Sequence, residues 1–388
     1  MSGSDKPLPH QGLPQQQSPE PGVRIYLVGG AVRDELLGLP PPDRDYVVIG
    51  ATQEEFLRAH PGAKKVGQGD SCVFIHRGSE YTLSDQRDIH SDLQLRDLTI
   101  NAAARDQGGE TIALPQTLSD LRQGILRPVQ RQNFHRDPLR AYRSARIAAC
   151  FPDFSLHPQL RRTLRGIAAP EETSRIAAER VCAEVLKACA CPEPGRFLWI
   201  LFRHGLLRPW FRELEPQSAT PGNSSRGISK RDLELAVSRM NRQSGDCLRV
   251  WMALCACLGA SERAAAPDKA WDEAAAGSAR TMAKRMRMPN IYIRAGFRAA
   301  GWIRAAMRYS LLSPEDKVDL LLDLQRDGLL EREMEVAASM RAASANDSWR
   351  LDLERINRVR LPPDKQGLGR ESGRILKRLR CESIRHGV

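Results

Sequence analysis

Between residue 23 and about residue 105 the apolar positions come in short runs broken by glycine; beyond residue 136 they recur at helical spacing. Val23 to Val28 reads as a strand, Ala31 to Leu37 as a short helix, and Tyr46 to Ile49 as a second strand. Thr52-Gln53-Glu54-Glu55 is a capping box that opens a helix. Cys72 to His76 and Glu80 to Leu83 flank a turn at Gly78 and predict a hairpin. Asp137-Pro138 predicts a helix start, with the carboxylate as N-cap and proline in first position. Leu139, Tyr142 and Ile147, with Ala145 between, give that helix one packed face. Leu186, Phe197, Leu198, Ile200 and Leu201 mark further helices.

This pattern divides the 388 residues into an α/β head at 23–135 and an all-α remainder. The remainder comprises a neck at 136–214, a linker at 215–232, a body at 233–345 and a basic helical tail at 346–388. The Pro/Gln/Ser-rich segment 1–22 lacks the apolar stretch of a secretory signal and is expected to be a disordered leader.

Charge narrows the partner. The formal net charge is +12, which favours a polyanion. Nucleic acid fits better than membrane, because no apolar run approaches the ~20 residues of a spanning helix. Lys284, Arg285, Arg287, Arg294, Arg298, Arg304 and Arg308 cluster around Pro289. The tail adds Arg355, Arg358, Arg360, Arg370, Arg374, Lys377, Arg378, Arg380 and Arg385. Of the 9 cysteines, Cys189/Cys191 and Cys255/Cys257 form C-x-C pairs in Ala-rich helical context without accompanying histidines. Reduced, mostly buried thiols in a cytoplasmic protein are expected, not a zinc site.

The chemistry concentrates at Val28-Gly29-Gly30-Ala31-Val32-Arg33 and Asp43-Arg44-Asp45. Positions i and i+2 of a strand share a face, so Asp43 and Asp45 are expected to project together beside the glycine turn. Two carboxylates next to a phosphate-binding turn suit a Mg²⁺-dependent nucleotidyl transfer. Glu80, at the start of a strand, is the candidate third carboxylate.

Val28 to Gly38 with Asp43-Arg44-Asp45 resembles motif A of the class II tRNA nucleotidyltransferase and bacterial poly(A) polymerase family. Arg96-Asp97-Leu98-Thr99-Ile100-Asn101-Ala102 resembles its motif B. The run from Asp137 through Arg140, Arg143 and Arg146 resembles the base-reading motif, and Glu179-Arg180 with Glu184 the helical motif that follows. Within the family the resemblance points to the bacterial CCA-adding enzymes. It implies a polymerase-β-like head, metal binding by Asp43, Asp45 and Glu80, and catalysis by the aspartate pair. It implies triphosphate contacts from Gly29, Gly30 and Arg33, with sugar and phosphate contacts from Arg96 and Asp97. Asp137 and Arg140 would read the base, with Arg143 and Arg146 on the same nucleotide-binding helix. The implied partners are tRNA, CTP and ATP.

The chain also departs from the family pattern. Leu95, Arg136 and Ala113 stand where the family usually has arginine, glutamate and aspartate. The segment between Glu80 and Arg96 is short, as in enzymes that add only the two C residues. Trp251 to Gly259 sits where some relatives carry an HD phosphohydrolase site, with Ala256-Cys257 in place of His-Asp. A helical body without phosphohydrolase activity is expected there. A poly(A) polymerase, or a diverged paralogue that binds tRNA with little catalysis, are the competing expectations.

Overall fold

The computed structural model describes residues 22–67, 72–216, 228–260, 270–340 and 348–386. Nearly all of the expected leader, and the centre of the expected linker at 217–227, lie outside the described residues. The chain forms two compact units. One runs up to Arg136 and includes Asp153–Thr163; the other comprises Asp137–Pro152 and everything from Leu164 onward.

The first unit contains β1 (Arg24–Val28), α1 (Gly30–Leu36), β2 (Asp45–Ile49), α2 (Gln53–Ala59), β3 (Lys64–Val66), β4 (Val73–His76), β5 (Ser79–Ser84) and α3 (Ile89–Leu93). It continues through β6 (Ala103–Arg105), β7 (Thr111–Ala113), α4 (Thr117–Gln123), β8 (Ile125–Leu126) and α5 (Arg131–Arg136). Among the described residues the main sheet has seven strands in the order β3-β4-β5-β2-β1-β6-β7. Only β2 and β5 pair in parallel within it.

β1 and β2 read as unbroken apolar runs because both of their faces are covered. On one side Ala31, Val32 and Phe56 pack on Ile25, Leu27, Tyr46, Val48 and Tyr81. On the other, Ile89 and Leu93 of α3 pack on Tyr26, Val28, Val47 and Ile49. The Thr52/Glu55 capping box forms as expected. The hairpin also forms, its turn made by Arg77 and Gly78, both with positive φ. Two consecutive positive φ angles match the twist of the flanking strands. The stretch after Pro152 returns to this unit as β9 (Ser155–Leu156), paired in parallel with β8.

The second unit opens with α6 (Leu139–Cys150), which starts one residue later than expected, with Pro138 at its N-cap. α7 (Pro158–Gly166) begins in the first unit and ends in the second, whose further helices are α8 (Pro170–Ser174), α9 (Ala178–Cys189), α10 (Pro194–Arg203), α11 (Lys230–Arg242) and α12 (Cys247–Ala260). Then come α13 (Glu273–Arg285), α14 (Asn290–Met307), α15 (Pro314–Arg326), α16 (Leu330–Ser339), α17 (Ser348–Arg358) and α18 (Arg370–His386). A capping box between Ser229 and Asp232 starts α11 inside the stretch expected to be linker. α12 carries Ala256 and Cys257, both fully buried. A Cβ on Gly259 would lie 2.0 Å from the Ala300 carbonyl oxygen, so α12 and α14 meet backbone to backbone.

Two expectations need correction. Cys150 and Cys191 form a disulfide where reduced thiols were expected. Packing of α6 beside α9 brings together two sulfurs 41 residues apart, which no spacing rule could pair. The other seven cysteines are free, and burial pushes the Cys257 thiol up to about 12. The basic cluster around Pro289 is also partly internal. Arg285 pairs with Glu213, Arg287 with Glu179, Arg298 with Asp323 and Asp327, and Arg304 with Asp272. Lys284, Arg287, Arg294 and Arg308 remain exposed, Arg287 in a pair with Glu179 that lies at the surface. No helix among the described residues is long and apolar enough to cross a membrane.

Candidate active site

β1 ends at Val28 and the chain turns at Gly29, with φ +68° and ψ −127°. This region of backbone space is essentially closed to residues with a Cβ. The Gly29 N–H donates to the Ala103 carbonyl at 3.1 Å and is therefore not directed at a ligand. What the turn offers is bare backbone with two guanidinium groups above it. A Cβ on Gly29 would lie 3.6 Å from Arg96 Nη1, and one on Gly30 would lie 3.5 Å from Arg33 Nη2.

Both arginines are held by acceptors. Arg33 Nε donates to Asp34 Oδ1 at 2.8 Å, and its Nη1 donates to Asn101 Oδ1 at 2.8 Å. Asn101 Nδ2 in turn donates to Asp97 Oδ1 at 3.0 Å, an oxygen that also accepts the Leu98 N–H at 2.7 Å. Arg96 donates through Nε and Nη2 to Asp92 Oδ2, at 3.1 and 2.7 Å. Asp97 is buried and Arg96 is 26% exposed, so Arg96-Asp97 is not a surface ion pair. Asp92 went unnoticed in the sequence, and Asn101 appeared within motif B without a role. Each stands four residues from a motif residue, Asp97 or Arg96, and that spacing was the available signal.

The carboxylates gather at the same end of the sheet. Asp45 opens β2 opposite Val28 of β1, the residue before the glycine turn. Its partner on the other side is Glu80 of β5. Asp43 lies in the bend before β2, so the alternation of strand side chains does not govern its direction. Asp43, Asp45 and Glu80 are all exposed. Among the described residues no three carboxylate, histidine or cysteine side chains stand close enough together to hold a metal ion. The donor set is nonetheless all oxygen, which fits a hard divalent cation such as Mg²⁺.

In the second unit, Asp137 precedes α6 and its carboxylate accepts two bonds from Arg180 of α9, at 3.1 and 2.8 Å. It also accepts the Leu139 N–H at 3.3 Å, a weaker cap than the sequence suggested because the carboxylate is turned towards α9. Further along, Arg146 Nε donates to the buried Glu184 at 2.6 Å, and Arg143 lies 4.0 Å from the same carboxylate. Arg140 sits on α6 between these two ties. The predicted residues therefore form two constellations, Gly29/Gly30/Arg33/Arg96/Asp97 with the sheet-end carboxylates, and Asp137/Arg140/Arg143/Arg146 tied to α9.

The family model for the "Probable RNA and SrmB- binding site of polymerase A" matches residues 153–218. A CCA-adding enzyme of Bordetella pertussis is 38% identical over 229 residues, which are 54% of this chain and 62% of that protein. One from Coxiella burnetii is 35% identical over 213 residues, 50% of this chain and 56% of that protein. The chain thus spans less than two thirds of these relatives' length. The crystal structure of a Bacillus stearothermophilus CCA-adding enzyme in complex with CTP matches with TM-score 0.61 and 26% identity, covering 87% of this chain and 78% of that one. The Thermotoga maritima CCA-adding enzyme complexed with tRNA shares the fold at TM-score 0.65 and 19% identity, covering 94% and 88%. Sequence relatives, family model and fold converge, and over the matched residues the chain is similar to the CCA-adding enzymes.

Proposed function

We propose that this protein is a tRNA 3′-end nucleotidyltransferase that adds CMP from CTP, with ATP as the candidate second substrate. One observation carries the reading: the register Val28–Asp45–Glu80 places two carboxylates beside a glycine turn that two guanidinium groups overhang. Arg33 and Arg96 neutralise the triphosphate that lies against the turn. Asp43, Asp45 and Glu80 would hold Mg²⁺, which supplies Lewis acidity at the 3′-hydroxyl and charge neutralisation at the leaving pyrophosphate.

Base choice falls to Asp137 and Arg140. A carboxylate accepts from an exocyclic amine, and a guanidinium donates to a ring nitrogen or carbonyl oxygen. Cytosine and adenine carry an amine on the Watson–Crick edge, whereas guanine and uracil do not. Arg180 orients the Asp137 carboxylate for that role. The exposed arginines supply phosphate contacts to tRNA, and a cytoplasmic location suits that substrate. The short Glu80–Arg96 segment favours C addition over terminal A addition.

The test is an acceptance assay. Purified protein is given tRNAs ending before CC, after C and after CC, each with labelled CTP or ATP and Mg²⁺. Incorporation of C into the first two supports the reading. Long A tails on a generic RNA primer would support a poly(A) polymerase instead, and silence with tRNA binding would support a non-catalytic paralogue.

A further inference from the structure

We propose that Asp92 is a positioning residue for triphosphate binding, fixing Arg96 over the Gly29 turn before the nucleotide arrives. This rests on the reading of the turn as a nucleotide site.

Both Asp92 oxygens are committed, and to partners on different elements. Oδ2 accepts Nε and Nη2 of Arg96. Oδ1 accepts the hydroxyl of Ser84, the last residue of β5, at 3.0 Å. The carboxylate is therefore clamped to the sheet, and it grips one edge of the guanidinium. The other edge is left for a ligand: Nη1 makes no hydrogen bond among the described residues and lies 3.6 Å from where a Gly29 Cβ would be.

A bland alternative exists. Asp92 and Arg96 are four residues apart and could simply support the end of α3, like any helical ion pair. Three features argue otherwise. The side chains are only 14% and 26% exposed, the contact uses two guanidinium nitrogens, and the carboxylate is cross-bonded to a strand. Arginine has a flexible stem, and immobilising it in advance removes an ordering cost from phosphate binding. The short Glu80–Arg96 segment suits this role. With few residues to span, Ser84 and Asp92 can zip it shut on Arg96.

The experiment compares the wild-type chain with Asp92→Asn, Ser84→Ala, Arg96→Ala and the Asp92→Asn/Arg96→Ala pair. It measures equilibrium binding of CTP and of cytidine, steady-state CMP addition to a tRNA lacking its CC end, and thermal melting. Asp92→Asn is expected to raise the Kd and KM for CTP about tenfold while kcat changes less than about threefold. Cytidine, which has no phosphates, should bind equally to both. In the Arg96→Ala background Asp92→Asn should add less than about twofold, since the two residues act as one unit. Ser84→Ala should shift KM in the same direction by about twofold.

Additive losses in the double variant overturn the proposal, as does a fall in kcat with KM unchanged. If Asp92→Asn fails to fold, Ser84→Ala decides: an unchanged CTP KM there overturns it. A wild-type chain that neither binds CTP nor extends tRNA brings down the nucleotide reading and this inference together. A wild-type chain that does both, matched by Asp92→Asn, overturns this inference alone.

Discussion

Asp45 and Glu80 are register partners across the parallel pair β2/β5. Partners on adjacent strands, about 5 Å apart, carry their side chains on one face of the sheet. Asp45→Asn is expected to lower CMP incorporation by about 10²–10³-fold, the scale of losing one charge-stabilising group in an active site. Glu80→Gln should be milder and should raise the half-saturating Mg²⁺ concentration several-fold. Activity measured across a Mg²⁺ titration checks both, and a Glu80→Gln curve that overlays wild type removes Glu80 from the metal set.

Gly29→Ala is expected to fail in two ways. A methyl group at φ +68° and ψ −127° costs about 1–3 kcal/mol of backbone strain. It also lies in van der Waals contact beneath Arg96 Nη1, on the surface proposed for the triphosphate. Melting temperature should fall and the KM for CTP should rise together. A variant with lower stability but unchanged KM would mean that the turn is structural only.

The two ties between α6 and α9 should behave differently. Glu184 is 7% exposed and Arg146 is 18% exposed, so Glu184→Ala strands a guanidinium in a poorly solvated place. A loss of about 3 kcal/mol in chemical denaturation is expected, at the lower end for a broken buried pair. Arg180 and Asp137 are 52% and 29% exposed, so Arg180→Ala should cost at most about 1 kcal/mol. Its effect should appear in base choice, as reduced discrimination of CTP over UTP.

What the sequence revealed depended on range. The strand, glycine turn and helix around Gly29 were legible because each signal is local, as were the Thr52 capping box and the Gly78 hairpin. The register of Glu80 against Asp45 was not, since a parallel pairing leaves no mark on either strand. The tie between Asp137 and Arg180 was hidden for the same reason, although the motifs had named both residues. Charge counting could not show that Arg285, Arg298 and Arg304 are partly buried against carboxylates of their own chain, because composition cannot distinguish a cation that meets RNA from one that meets an internal partner. Asp92 was missed, and Asn101 was given no role, because both serve arginines instead of substrate.

Glu333 of α16 predicts a pH dependence of stability. It is fully buried, and among the described residues neither carboxyl oxygen has a hydrogen-bond partner. Burial pushes its carboxyl up to about 8 from an ordinary 4.5. Between these values the unfolded chain has released this proton and the folded chain still holds it. The contribution to stability is therefore complete below pH 4.5, falls by about 1.4 kcal/mol per pH unit through the window, and levels off above 8. Glu333→Gln should flatten the decline, so its melting temperature should gain on wild type between pH 5 and pH 8. Parallel melting curves across that range would contradict the prediction.

Along α18, Arg370, Arg374 and Arg378 are exposed at intervals of four residues and form one stripe. Replacing all three with glutamate should weaken tRNA binding. The slope of log affinity against log salt should shrink by about 2 to 3 units, one per lost phosphate contact. Binding isotherms at several salt concentrations measure it, and an unchanged slope would place the RNA elsewhere. Arg285→Glu should instead reduce stability, because that residue is paired with Glu213.

The parallel pairing of β8 with β9 has a practical corollary for dissecting the chain. The head is a discontinuous module, because the polypeptide leaves it after Arg136 and comes back at Asp153. A fragment ending at Arg136 would expose β8 as an unmated edge, open to pairing with another molecule. Any chimera that exchanges heads between relatives must carry Asp153–Thr163 along with the donor, or graft a head that has lost one of its own strands.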